Sequence, residues 1–212
     1  MKQRIWLLSI LVVCVVAGAF VATHFMGNQM SPTAVAQVKG VAVEQEEFRE
    51  SKENRRMLVS VGVASPEDPF IQLSDEKIIE NLITPKLVAE KAIRKGITIP
   101  EEDVDEQIAH QRKMLEEIDP SDEQQAMAIE VMAQTLERKG MTEEEYWQAE
   151  TTREGYRSWL YLSALMDEMR EIEDPEEWRD SVEYRQELYN QIQDDIVYNY
   201  DLIQEINNSL EG

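Results

Sequence analysis

From Ser74 onward, apolar residues recur every three or four positions, the spacing of helices that bury one side. Ile79, Leu82, Ile83 and Leu87 make the first such stripe, between an N-cap at Ser74 and a stop at Gly96. Pro85 inside it lacks a backbone donor and predicts a kink. Pro100 suits the first position of the next helix, with Val104, Ile108, Leu115 and Ile118 on one face. The stretches "SDEQ" (Ser121–Gln124) and "TEEE" (Thr142–Glu145) have the capping-box pattern, and Gly140 closes the helix between them. A further helix is expected from about Glu143 to Glu171. The last opens at "DPEEW" (Asp174–Trp178). Its four-three spacing runs through Trp178, Val182, Arg185, Tyr189, Ile192, Ile196, Asn199, Ile203, Ile206 and Leu210. That spacing predicts one continuous helix of about 50 Å. Such a seam serves either a second chain or the shorter helices of its own chain, and the latter need something to lie on.

Upstream the pattern changes. In "AVAQVKGVAVEQEEF", Val35, Val38, Val41 and Val43 flank Gly40 and predict a short extended ribbon that feeds a helix near Glu44. Gly62, Pro66 and Pro69 end that helix. Gly27–Ala36 is a linker of small and polar residues. Ahead of it, Lys2 and Arg4 precede an apolar run from Ile5 to about Thr23, long enough to span a bilayer. The run exceeds the usual apolar core of a cleaved leader, so residues 1–25 are expected to be an uncleaved signal anchor. The expected division is then 1–25 anchor, 26–36 linker and 37–212 folded domain. That makes a single-pass protein of the cell membrane, with a cytoplasmic N-terminus and an extracytoplasmic domain. The alternative is secretion after cleavage near Ala36, where "AVA" (Ala34–Ala36) offers small residues at the right spacing.

Charge narrows the partners. The 212-residue chain has a formal charge of −22, and its first 29 residues hold two bases and no acid, leaving −24 on the remainder. Such a surface repels nucleic acid and anionic lipid but admits apolar or basic partners. Cys14 is the single cysteine, so no disulfide forms within the chain. Val13 before it is not the small residue a lipid-anchor site needs.

Little chemistry is visible. Glu101–Glu106 holds five acids in six residues, and Asp103, Asp105 and Gln107 resemble the start of a calcium loop. Ile108 stands where such a loop needs glycine, however, and Met114 where it needs glutamate. Just after Pro100, the acids are better read as the favoured residues of a helix start. His24 and His110 are the only histidines, and no metal-binding spacing, phosphate loop or nucleophile elbow occurs. No enzyme and no cofactor are expected. What remains is apolar: Met127, Met132, Trp147, Tyr156, Trp159, Met166 and Met169. These side chains fit a core, or an adaptable groove for unfolded polypeptide.

Three stretches resemble the SurA and PrsA family of extracytoplasmic chaperones. They are "VAQVKGVAVEQEEF" (Val35–Phe48), "IIENLITPKLVAEKAIRKGITIPEEDVDEQI" (Ile78–Ile108) and "KGMTEEEYWQ" (Lys139–Gln148). In the first, Lys39–Gly40 stands where Asn–Gly is usual. The resemblance implies an all-α lobe, related to the C-terminal region of trigger factor, that holds unfolded or nascent secreted polypeptides. Only "EIEDPEE" separates the last two helices where the family's parvulin-type prolyl isomerase would sit, so the resemblance implies the chaperone lobe without the isomerase. The expectation is a membrane-anchored, ATP-independent holdase. The rival is an adaptor that docks one membrane or cell-wall partner through its C-terminal helix. Oligomeric state is not set by the sequence.

Overall fold

The computed structural model describes residues 30–172 and 180–211. They are mostly helical, with a three-stranded antiparallel sheet of order β2-β1-β3. Strand β1 is Ala34–Val38, β2 is Val41–Glu44 and β3 is Val197–Tyr198. The helices are α1 Gln45–Ser60, α2 Asp75–Arg94, α3 Glu101–Glu116 and α4 Glu123–Lys139. They continue with α5 Glu143–Gln148, α6 Glu150–Ile172, α7 Ser181–Asn190 and α8 Tyr200–Glu211. The expected anchor, Ile5–Thr23, lies outside the described residues, as do Pro175 and Trp178. Among the described residues no helix is long and apolar enough to cross a membrane.

The chain forms two compact units. Among the described residues the first comprises Glu50–Leu73 and Pro100–Arg157, and the second comprises 30–49, Ser74–Ile99, 158–172 and 180–211. In the second unit β1 and β2 form the expected ribbon, turning at Lys39 and Gly40 with Val38 opposite Val41. Both turn residues have positive φ, 49° and 84°. That is the geometry a two-residue hairpin needs to match strand twist. Glu47 then bonds back to the Glu44 amide (2.8 Å) and fixes the start of α1.

One boundary moves. Ala34, Val35 and Ala36, assigned above to a linker, are fully buried in β1. The folded region therefore begins before residue 37. Alanine's small side chain suits a tightly covered central strand as well as it suits a linker, and composition alone does not separate the two.

Helix α2 follows its expected caps. Ser74 Oγ accepts from the Lys77 amide (3.2 Å), and Gly96 ends the helix at φ 89°. The helix continues through Pro85. In the first unit the Thr142–Glu145 capping box is present, with both reciprocal bonds made. At the other stretch α4 begins at Glu123, which moves the N-cap past Ser121. Asp122, one residue later, accepts from the Gln125 amide (3.2 Å), while Ser121 donates to Asp119 (2.7 Å). Asp119 precedes Ser121 closely enough to take its hydroxyl, which leaves Asp122 to cap. Pro100 likewise sits at the N-cap rather than one residue further in.

The continuous C-terminal helix is not formed. It stops at Asn190, and Gln193–Asp195 make a 3-10 turn. Val197 and Tyr198 then pair with Gln37 and Ala36 before α8 begins. Asn199 donates its amide to Val35 O (2.9 Å), and its side chain caps the Leu202 amide (3.2 Å). A helix through these residues would leave that edge of β1 without partners. Val182, a seam position, is 62% exposed. The Glu143–Glu171 helix is also interrupted, at Ala149 (φ −60°, ψ 132°).

Candidate functional site

The break at Ala149 decides what the aromatic residues do. Trp147 and Tyr156 are nine residues apart, about two and a half helical turns, so one straight helix would point them in opposite directions. The extended residue between α5 and α6 instead brings the rings to 6.4 Å. Tyr146 meets Trp147 edge-on at 5.1 Å, and the indole Nε1 donates to Glu143 (3.1 Å). Tyr146, Trp147 and Tyr156 are all buried. They form an interior cluster of the first unit.

The remaining residues expected to contact a client divide between the units. Met166 is buried against Val88, Ala92, Leu165 and Tyr184 in the second unit, with Met169 packed against that cluster. Trp159, 42% exposed, also belongs to the second unit. Met127 and Met132, both half-buried, lie on α4 in the first. Trp147, Tyr156 and Met166 have no surface to offer in this conformation, because holding their own unit together consumes it.

Helix α4 carries a different surface. Ala128, Val131 and Thr135 are its buried side, and Val131 packs on Met57 and Leu58 of α1. Ile129, Met132 and Leu136 recur at three- and four-residue steps and so form a second stripe beside the first. Ile129 is 43% exposed, and Met132 and Leu136 are half-buried. The helix ends at Gly140 (φ 62°), and the Met141 amide returns to Leu136 O (3.1 Å). That bond places exposed Met141 at the end of the stripe. Residues Ile129, Met132, Leu136 and Met141 thus give α4 a soft apolar strip that its own core leaves uncovered. Of these four, only Met132 was expected from the sequence. The signal was present: apolar spacing wider than one buried side requires, continued past a glycine cap.

Charged side chains frame the first unit. Arg153 donates to Asp105 and Glu101, and Arg157 to Glu101, each at 2.7 Å. The arginine contacts hold the exposed Glu101 carboxyl below its usual range, the bond from Arg153 foremost. The acidic run after Pro100 therefore does more than start a helix, for it fastens α3 to α6. On α1, Glu53 accepts from Arg138 (2.9 Å), and Glu50 pairs with Lys139. Arg55 lies 5.2 Å from the Phe70 ring centre and donates to Phe70 O (3.2 Å), and burial pushes its pKa down to about 10. Among the described residues no group of three or more His, Cys, Asp or Glu is placed to hold a metal ion.

The model of the SurA-like N-terminal domain matches residues 1–154. The chain belongs to the SurA-like N-terminal domain family. The match takes in β1 to α5 and the start of α6, so all three stretches on which the resemblance was drawn lie within it. It stops short of α7, β3 and α8. The SurA-like family is of chaperone type, and SurA-like domains bind unfolded polypeptides in general. No curated protein and no solved structure matches the chain.

Proposed function

We propose that this SurA-like protein is an ATP-independent holdase, tethered to the outer face of a bacterial membrane, that shields apolar segments of unfolded secreted polypeptides. The observation that carries the reading is the Ile129–Met132–Leu136–Met141 strip, apolar and partly exposed, which lies within the residues that the family model matches. Methionine adapts to clients of varied shape, and each square ångström covered contributes about 25 cal/mol before ordering costs. The formal charge of −24 on the chain beyond residue 29 keeps loaded complexes soluble. Ile5–Thr23 supplies the tether in this reading, and the folded domain works without covalent chemistry or prolyl isomerase activity. Retention of the tether is favoured by the burial of Ala34–Ala36, since cleavage after Ala36 would remove three core residues of the central strand.

The test uses residues 30–212, which keep β1 whole. Equimolar protein is expected to suppress aggregation of two unrelated unfolded proteins without ATP, and Met132→Lys together with Ile129→Lys is expected to remove most of that effect. Capture of one folded partner with no effect on aggregation would instead establish an adaptor.

A further inference from the structure

The sheet has two outer edges, and they are treated differently. On β2 the Ala42 carbonyl accepts from Lys86 Nζ (2.7 Å), and α2 packs along the strand. On β3 no strand is paired beyond Tyr198 among the described residues. Asn199 turns its amide inward to Val35 O, and Val197 pairs with Gln37. By the two-residue alternation of a strand, Tyr198 turns its own amide and carbonyl outward. Val197 and Tyr200 beside it are 58% and 60% exposed. Open edges are blunted by shortness, by charge or by proline; β3 is two residues long and carries neither lysine nor proline.

The surroundings specify what such an edge accepts. The Tyr198 and Tyr200 rings stack at 5.5 Å and 24°, giving a flat aromatic platform. Asp194, Asp195, Asp201 and Glu76 are exposed, and the Tyr198 hydroxyl is pushed up by burial first, then by its hydrogen bond with Tyr189, with the Glu76 charge adding to both. From Asp180 to Glu211 there are eight acids and one base, Arg185. Lys39 engages Asp195 (3.6 Å) and leaves the negative excess in place. Aromatic faces bordered by carboxylates attract lysine and arginine. A second copy of the chain would bring the same acids and be repelled.

We propose that the outer edge of β3, with the Tyr198–Tyr200 platform, binds an extended cationic segment of another polypeptide by adding it as a fourth strand. Main-chain hydrogen bonds to Tyr198 supply the register, and the partner's lysine or arginine side chains rest on the tyrosine rings among the acids. This surface belongs to the second unit and shares no residue with the α4 strip.

The experiment measures fluorescence anisotropy of a short labelled peptide alternating valine and lysine, titrated with the full chain in neutral detergent micelles. The peptide is expected to bind. Methylating its alternate backbone nitrogens should weaken binding at least about tenfold, and Tyr200→Ala about fivefold. An alternating valine–glutamate peptide should not bind, and Met132→Lys should leave the valine–lysine peptide's affinity unchanged. Equal binding of the methylated peptide, or indifference to Tyr200→Ala, would overturn the proposal. Loss of binding in Met132→Lys would overturn it too, by assigning the peptide to the α4 strip while leaving the holdase reading intact. A concentration-dependent dimer abolished by Tyr200→Ala would give the edge to a second copy instead.

Discussion

Lys86 Nζ lies 2.6 Å from Oε2 of Glu47, with the two side chains 11% and 3% exposed. The same ammonium holds the Ala42 carbonyl, so one lysine on α2 ties down both the edge strand β2 and the start of α1. Removing one partner of a buried pair leaves a charge without compensation. Lys86→Met is expected to destabilise the protein by about 3 kcal/mol in urea unfolding. The double variant Lys86→Met with Glu47→Leu should recover more than half of that loss. Equal losses in single and double variants would mean that the lysine acts through packing alone.

Glu47 also gives stability a particular dependence on pH. Burial raises its carboxyl above the ordinary value of 4.5, opposed by the attraction and hydrogen bond of Lys86. A carboxyl whose folded value is raised contributes stability that is full below the unfolded value and is lost as pH rises through the folded one. The stability of the native protein relative to Glu47→Gln should therefore fall as pH is raised from about 4 toward neutrality. Urea melts of both proteins across that range give the difference directly, and a rising difference would contradict the sign.

The two tryptophans on either side of the Ala149 break should behave oppositely. Trp147→Ala empties an interior position and is expected to cost about 3–5 kcal/mol. Trp159→Ala, at a residue 42% exposed, should cost under about 1 kcal/mol. Thermal unfolding of the two variants separates a core tryptophan from a surface one.

Tyr184 has a hydroxyl that is buried with no hydrogen-bond partner among the described residues, while Lys91 lies 4.9 Å from its ring centre. Tyr184→Phe keeps the ring contacts and removes an unsatisfied polar atom. A stabilisation of about 1 kcal/mol is expected, read as a higher urea midpoint with an unchanged slope. A loss of stability would reveal a bond that the hydroxyl makes in solution.

At the hairpin, Lys39 occupies a left-handed conformation (φ 49°) that asparagine adopts more readily. Its pairing with Asp195, between half-exposed side chains 3.6 Å apart, contributes little. Lys39→Asn is thus expected to raise stability by roughly 0.5 kcal/mol, measurable as a higher melting temperature.

What was legible in the sequence follows from how far each signal reaches. Ser74, Gly96, Thr142 with Glu145, and the Lys39–Gly40 turn all act within about one helical turn or one hairpin loop, and all sit where the pattern predicted. Ala149 is a strong helix former, and nothing beside it announces a break. The interruption comes from burying Trp147 and Tyr156 together. Likewise the four-three spacing through Ile192, Ile196, Asn199 and Ile203 is real in sequence. It loses to a strand pairing with Ala36 and Gln37, residues no local window contains. Asn199, one of the positions in that spacing, is the cap of a new helix. Trp147, Tyr156 and Met166, expected to face a client, are buried for a related reason. Large aromatic residues draw attention, yet they are the ones that the interior claims first, and the smaller Ile129 and Met141 are left outside.

The pairing of β1 with β3 joins residues about 160 positions apart. Closing so long a loop is slow compared with forming the hairpin beside it. During synthesis β1 and β2 emerge together, and one edge of β1 must wait until about 160 further residues have followed. For that interval the newborn protein carries an unpaired strand edge of the kind that seeds aggregation. Its rate of maturation is thus set by the arrival of Val197 and Tyr198, and a chain ending before them would keep that edge open.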